Sequence, residues 1–462
     1  MTPEKFDVII VGTGPAGIFA ALELTSKRRD LKVLMLEKGV DLEKRNCPMH
    51  TRGVECQHCK PCSLLSGWGG AGAYSDGKLT LSPDVGGRLA SILPREEVEE
   101  LIKEVDATYV RFGATEVVHG ANMDEVERLQ KEAAKAGLRL VADPIRHMGT
   151  DRSAAILKAM RDELLSRGVT IRFRSEVTSI LTDNNHAVGV ELKDGTQIHS
   201  TFIILAPGRD GAPWLLAKAK ELDLTLGRNP VDVGVRVELP ATVLEPLTSV
   251  LYEPKLIYFT KAFDDQVRTF CVCPYGEVVT EWYGDVMTVN GHSYANRRTL
   301  NTNFALLVSK TFTEPFDNPI EYGKSIARLA NLLGDGVIVQ RLYDLEQGRR
   351  STPERMSRSV IRPTLSTATP GDLGLVFPYR HLANLLEMLK AMDQLTPGVY
   401  SRHTLLYGVE VKFYSSRLNL TPKMETRIEN LFAVGDGAGV TRGVIQASAS
   451  GVIAARAILE RV

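Results

Sequence analysis

The chain has 462 residues, 44% of them hydrophobic and 24% charged, with 56 Lys and Arg balanced by 56 Asp and Glu. This is ordinary globular composition, long enough for two domains or for one core with a large insertion. Balanced charge gives no net field toward nucleic acid or an acidic membrane surface, so neither is expected as a partner.

The first strand begins within a few residues of Met1, which leaves no room for a secretory leader, and no apolar run approaches the roughly 18 residues needed to cross a bilayer. A cytoplasmic protein is expected. Six cysteines in that setting read as thiols, metal ligands or redox groups and not as a disulfide framework.

Asp7–Val11 is a short apolar run with the character of a buried parallel strand, and it leads through Gly12-Thr13-Gly14-Pro15-Ala16-Gly17 into a helix expected over Ala16–Ser26. Each glycine has its own task. Gly12 makes the tight turn, Gly14 lets the backbone approach a pyrophosphate, and Gly17 lets the helix pack on its strand. A second strand, Lys32–Leu36, ends at Glu37, twenty residues past Gly17 and in the place of a ribose-binding acid, with Lys38 beside it. The pattern predicts a dinucleotide with its pyrophosphate at the helix N-terminus.

A cysteine-rich loop, Cys47 to Cys62, and a glycine-rich run, Gly67 to Leu79, come next; so much glycine outside regular structure marks backbone passing close to something flat or bulky. Helices are expected at Glu96–Tyr109 and Met123–Ala136, the second with Asn122 as N-cap, then a strand at Leu138–Ala142 and a helix at Asp151–Arg167. Short strands at Thr170–Arg174, Glu176–Leu181, Ala187–Leu192 and Gln197–His199 read as an antiparallel meander, before a buried strand, Thr201–Leu205, enters Ala206-Pro207-Gly208. From Arg228 to about Tyr400 the texture is mixed α/β, with strands at Val231–Leu239 and Thr269–Trp282 and helices at Tyr322–Leu333 and His381–Leu395. The opening texture returns at Asn430–Gly439, a strand and glycine turn, and at an alanine-rich helix, Val444–Leu459.

The ligand implied is longer than NAD, because a meander and two further glycine turns follow the first βαβ unit, one of them more than 400 residues downstream. The turn Gly435-Asp436-Gly437 can set a carboxylate against ribityl hydroxyls. The start of the last helix then presents its positive end to the pyrimidine side of a flavin. FAD is the expected cofactor, with Gly12, Gly14, Pro15, Ala16, Gly17, Glu37, Lys38, Gly69, Gly70, Ala71, Gly72, Val177, Ala206, Pro207, Gly208, Gly435, Asp436, Gly443 and Val444 as its contacts.

On these motifs the chain resembles the two-dinucleotide-fold flavoproteins of the glutathione-reductase type, and within them a bacterial, archaeal and plastid group known only as FAD-dependent dehydrogenases. The matching stretches are Gly12–Gly17, Gly67–Leu79, Asp232–Glu238, Arg268–Pro274, Asn301–Leu306, Gly408–Lys412 and Gly435–Gln446, with Ser75-Asp76-Gly77-Lys78-Leu79 the most specific. The resemblance implies an α/β fold: an FAD-binding Rossmann-like domain of glutathione-reductase type, residues 1–227 and 401–462, carrying an inserted mixed α/β substrate domain, 228–400. It also implies a redox enzyme, moving a hydride or two electrons between FAD and a small organic substrate. A second G-x-G-x-x-G is absent, so NADH or NADPH would bind transiently at the flavin face, or electrons would come from a donor protein such as a ferredoxin.

Cys56-Gln57-His58-Cys59-Lys60-Pro61-Cys62 is a C-x-x-C-x-x-C run with Cys47 nine residues upstream. Three thiolates in one loop and a fourth nearby suit a [4Fe–4S] cluster, four thiolates suit zinc, and redox thiols or no function stay open. With a cluster the chain would be an electron-transfer module serving a protein partner. Cys271 and Cys273 form a C-x-C expected on one face of a strand, either as small buried hydrophobes or as a redox partner or acid. Arg442, before the last helix, either helps hold charge near the flavin or is a surface cation. No general base is identified from the sequence.

Overall fold

The structure, a computed structural model, describes residues 4–52, 57, 59–74, 77–148, 150–227, 230–283, 285–293, 297–312, 318–412 and 417–462. The chain forms two compact units, one of residues 1–118, 145–228 and 415–462 and the other of residues 119–144 and 229–414. Among the described residues no helix is long and apolar enough to cross a membrane.

In the first unit the strand Lys5–Val11 runs parallel to Val33–Glu37 on one side and to Gln197–Leu205 on the other. Thr170–Phe173 extends this layer beside Val33–Glu37, and Leu431–Ala433 pairs with the end of Gln197–Leu205. Val8, Ile9, Ile10, Leu34, Met35, Ile203 and Ile204 are fully buried, which accounts for the unbroken apolar runs of strands covered on both faces. The first helix, Pro15–Lys27, packs against the last, Val444–Leu459, closely enough that a Cβ on Gly451 would stand 2.0 Å from the Ala16 carbonyl oxygen.

The meander is smaller than the strand pattern implied. It consists of Val177–Asp183, His186–Leu192 and the first residues of Gln197–Leu205, a single strand where two were expected. Thr170–Phe173 pairs in parallel with Val33–Glu37 instead, because the helix Thr150–Ser166 before it returns the chain to that edge of the sheet.

The second unit is built on an eight-stranded sheet in the order Thr369–Pro370, Ile338–Arg341, Leu405–Lys412, Val231–Pro240, Asn301–Lys310, Gln266–Cys273, Lys255–Phe259 and Arg139–Val141. Alternation along its central strands separates two faces. Val231, Val233, Val235, Val237 and Leu239 join Phe304, Leu306 and Val308 in an apolar core, while Asp232, Arg236 and Glu238 lie at the intervening positions, also buried.

This sheet corrects the expected boundaries. Leu405–Lys412 sits inside it, between Val231–Pro240 and Ile338–Arg341, and Arg139–Val141 closes its edge against Lys255–Phe259. Residues 401–414 and 119–144 therefore belong to the second unit; sheet pairing over long sequence separation decided this, and texture along the chain does not carry it. Thr269–Trp282 is also not one strand. It breaks at Pro274 into Gln266–Cys273 and Glu277–Tyr283, and the latter forms a separate hairpin with Val286–His292.

His381, in the first turn of the helix Tyr379–Leu395, is 3% exposed, and neither ring nitrogen has a hydrogen-bond partner among the described residues. Burial, joined by the charges of Lys310 and Arg380 and opposed by Asp265, holds its imidazole down to about 4 from 6.5. The unfolded chain therefore takes up this proton first, and stability is lost as pH falls from about 6.5 toward 4. His381→Leu is expected to remove about 2 kcal/mol of the stability difference between pH 7 and pH 5. Urea unfolding at both pH values checks this; an unchanged pH dependence contradicts it.

Candidate functional site

Several predicted cofactor residues of the first unit lie at two glycine-capped helix starts. Gly14 and Gly443 are the N-caps of the first and last helices, and neither helix has a side-chain cap. Leading backbone N–H groups of a helix have no acceptor within it, so two sets of donors stand ready for an anion or a carbonyl. A Cβ placed on Gly72 would stand 3.4 Å from Pro15 Cγ and 3.9 Å from Val444 Cγ2. Gly72 belongs to the short 3-10 helix Gly70–Tyr74, which therefore lies beside both helix starts.

The glycines divide by what fills the space beside them. A Cβ on Gly12, which has φ +105°, would stand 2.2 Å from the Ala206 carbonyl oxygen, and one on Gly17 would stand 2.1 Å from the Gly12 carbonyl oxygen. Both are demanded by the packing of the chain itself. Gly14 differs: its Cβ would meet no protein atom nearer than Gly70 Cα at 4.0 Å, and a Cβ on Gly208 would meet nothing within 4 Å. Space beside Gly14 and Gly208 is thus open among the described residues. The later turns close on the first, with Gly437 against Pro207 and Gly208, and Gly435 against Ala16.

Glu37 is 5% exposed and already holds four donors. One oxygen accepts from the Thr13 N–H at 3.1 Å and the Thr13 hydroxyl at 2.8 Å, the other from the N–H groups of Gly39 at 2.8 Å and Gly67 at 2.9 Å. It fastens the first turn to the glycine-rich run. Lys38 is engaged as well, its ammonium 2.6 Å from Asp210, which also accepts from the Ser66 hydroxyl at 2.7 Å. Burial pushes the Asp210 carboxyl up, but Lys38 and Ser66 outweigh it and hold it below its usual value.

Gly69 donates to the Thr13 carbonyl, and a Cβ there would collide with Leu157. Ala71 is half-buried in the 3-10 helix. Asp436, half-buried, accepts from the Thr441 hydroxyl at 2.7 Å. Val177 is a core side chain paired with Leu192.

Several supporting residues escaped the sequence reading. Gln446, 1% exposed in the first turn of the last helix, donates to the carbonyls of Pro83 and Val85 and accepts from the Leu89 N–H. This straps residues 83–89 across the turn, where Arg442 N–H also bonds the Gly86 carbonyl. A glutamine in the first turn of an alanine-rich helix was its only signal. Arg45 fixes the loop after the cysteines by donating to the carbonyls of Ser63, Leu64 and Trp68, and burial lowers its pKa.

Cys47 and Cys62 are half-buried and Cys59 is exposed, whereas Cys56 and His58 lie outside the described residues, as do Ser75 and Asp76. Among the described residues no three His, Cys, Asp or Glu side chains are grouped to hold a metal. Cys271 and Cys273, in the second unit, lie at a break in the strand ladder. The pairing Phe270 with Ala305 and Cys273 with Asn303 sets three residues against two, and Cys271 has φ +46°, so a bulge breaks the alternation.

Comparison with known proteins supplies the family. Residues 7–285 match the family described as FAD dependent oxidoreductase, and residues 230–413 match the one described as FAD-dependent protein, C-terminal domain-like. A protein of Clostridium beijerinckii, described only as uncharacterized, is 26% identical over 479 positions that span 98% of this chain and 80% of that one. Among solved structures, glycine oxidase from Geobacillus kaustophilus is 14% identical with a TM-score of 0.39, covering 99% of this chain and 95% of that one. L-proline dehydrogenase from P. horikoshii is 12% identical with a TM-score of 0.40, covering 99% and 94%. With more than half of its length matched, the chain belongs to the FAD dependent oxidoreductase family; it is an FAD-dependent oxidoreductase with an α/β, Rossmann-like FAD-binding fold.

Proposed function

We propose that FAD lies extended along the first unit, as in flavoproteins of the glutathione-reductase type, and that the enzyme moves a hydride or two electrons between it and a small organic substrate at a C–N, C–OH or C=C bond. The pair of uncapped helix starts flanking Gly72 carries this reading. Gly14, Pro15, Ala16 and Gly17 receive the pyrophosphate, with Gly12 setting the turn. The ribose hydroxyls share the Glu37 oxygens with the N–H groups that already hold them, and Lys38, tied to Asp210, borders that end. Gly69, Gly70, Ala71 and Gly72 pass beside the cofactor, while Ala206, Pro207 and Gly208 line its middle.

Asp436 takes the ribityl hydroxyls. Gly443 and Val444 offer the positive end of the last helix to the flavin carbonyl, with Arg442 adding charge. FAD supplies the redox chemistry; the protein supplies orientation and electrostatics. Substrate selection resides in the second unit, and electrons enter from a nicotinamide that binds transiently or from a donor protein.

Reconstitution of the purified chain with FAD tests the reading. One FAD bound per chain, released on denaturation, is expected, followed by bleaching of the flavin absorbance with NADH, NADPH or a reduced ferredoxin. Protein that stays colourless after reconstitution ends the proposal. Iron and acid-labile sulfide measured on the same sample decide whether Cys47, Cys56, Cys59 and Cys62 carry a cluster.

A further inference from the structure

The second unit holds a buried polar cluster that the flavin reading does not use. Arg236 is fully buried and donates from Nε to Asn303 Oδ1 at 2.8 Å, from Nη1 to both Glu410 oxygens at 3.3 Å, and from Nη2 to the Cys271 carbonyl at 2.6 Å and Cys273 Sγ at 3.1 Å. Lys412 Nζ lies 3.0 Å from Glu410 and 3.9 Å from the more exposed Glu281. Burial works against the charges of Arg236 and Lys412. For Arg236 it is outweighed by Glu410, Cys273 and Cys271, and for Lys412 by Glu410, Glu281, Tyr283 and Cys271.

Arg236 and Lys412 thus share the fully buried Glu410, with the more exposed Glu281 beside Lys412, and on the Arg236 side the cluster can accommodate a further negative charge. The atom placed to carry it is Cys273 Sγ, because a guanidinium donating to sulfur stabilises the thiolate. A second, independent observation points to the same spot. Asn303 lies opposite Cys273 in the sheet register, its Oδ1 is held by Arg236, and its Nδ2 is fully buried without an acceptor among the described residues.

The backbone sets Cys271 against the same cluster. The bulge gives Cys271 its left-handed φ, turns its carbonyl onto Arg236 and sets Cys273 Sγ 3.5 Å from that carbonyl oxygen. Cys271 is partly exposed and Cys273 is 3% exposed, and neither is in a disulfide.

We propose that Cys273 and Cys271 form a peroxide-responsive dithiol, with Cys273 as the attacking sulfur and Cys271 as the resolving one. The Cys273 thiolate attacks one peroxide oxygen and the O–O bond breaks, giving a sulfenic acid and a hydroxide that takes a proton to become water. Cys271 sulfur then attacks the sulfenic sulfur. The S–O bond breaks, a second water leaves with the Cys271 proton, and a disulfide remains. Two thiols and one hydrogen peroxide become one disulfide and two waters, and a dithiol reductant restores the pair. This inference stands apart from the FAD assignment.

The test uses the full chain, reduced and then exposed to hydrogen peroxide, with thiols blocked at timed intervals and peptides weighed. The peptide carrying both cysteines is expected to lose two hydrogens, to regain them with dithiothreitol, and to react about tenfold faster than exposed Cys59. Cys271→Ser is expected to stop at a dimedone-trapped sulfenic acid on Cys273, and Cys273→Ser to leave Cys271 no faster than Cys59. A wild-type pair that oxidises at or below the Cys59 rate, or a Cys273→Ser chain that keeps the fast reaction, overturns the proposal. The wild-type arm needs no substitution, so a variant that fails to fold leaves the decision intact.

Discussion

Glu37→Ala is expected to lower the unfolding free energy of the FAD-free protein by about 3–5 kcal/mol, since each buried donor left without an acceptor costs about 1–3 kcal/mol. The substitution strands the N–H groups of Thr13, Gly39 and Gly67, all now held by one carboxylate, and leaves the Thr13 hydroxyl only the Gly67 carbonyl at 3.4 Å. Glu37→Gln keeps two acceptor sites and turns an amide N–H₂ toward two donors, so its cost lies between those of wild type and alanine. Thr13→Val removes only the hydroxyl and is expected to cost about 1 kcal/mol. Chemical denaturation of the apoprotein makes the comparison. Were Glu37 only a ribose contact, alanine would weaken FAD binding and leave apoprotein stability unchanged, and that outcome would contradict the fastening role drawn from the structure.

That fastening role shows where sequence reading stops. The acid after the second strand was legible because spacing from Gly17 is a local, one-dimensional property. Its partners were not, because Gly67 and Thr13 meet Glu37 through the fold, thirty and twenty-four residues away. The same division runs through the sheets. Amphipathic helices such as Arg95–Arg111 and Met123–Lys135, with Asn122 accepting from Glu125 N–H, were readable from periodicity and capping. The placement of Leu405–Lys412 at the centre of the second sheet depends on pairing with Val231–Pro240, some 170 residues earlier, and three-residue Arg139–Val141 has too little pattern to announce an edge. The break between Cys271 and Cys273 was not legible because alternation assumes an unbroken ladder, and one extra residue in a bulge shifts everything after it.

Gly14 and Gly17 are expected to separate folding from cofactor binding within a single turn. In Gly17→Ala the new methyl would stand 2.1 Å from the Gly12 carbonyl oxygen and 3.2 Å from Ile10 Cγ2, contacts that only backbone movement relieves. A loss of about 4 kcal/mol or more is expected, seen as a large fall in melting temperature with or without FAD. Gly14 has φ −76° and ψ −178°, which any residue adopts, and the nearest atom to its methyl would be Gly70 Cα at 4.0 Å. Gly14→Ala apoprotein should therefore melt close to wild type, within about 1 kcal/mol, the cost of alanine relative to glycine at an N-cap. The same methyl occupies the space assigned to the pyrophosphate, and overpacking of about 1–3 kcal/mol converts to a fall in FAD affinity of about fivefold to 150-fold. Titration calorimetry with FAD measures it directly. A Gly14→Ala protein that binds FAD as tightly as wild type would mean that the phosphates do not run past this residue, and the path proposed for the cofactor would have to be abandoned even though the fold around it stood.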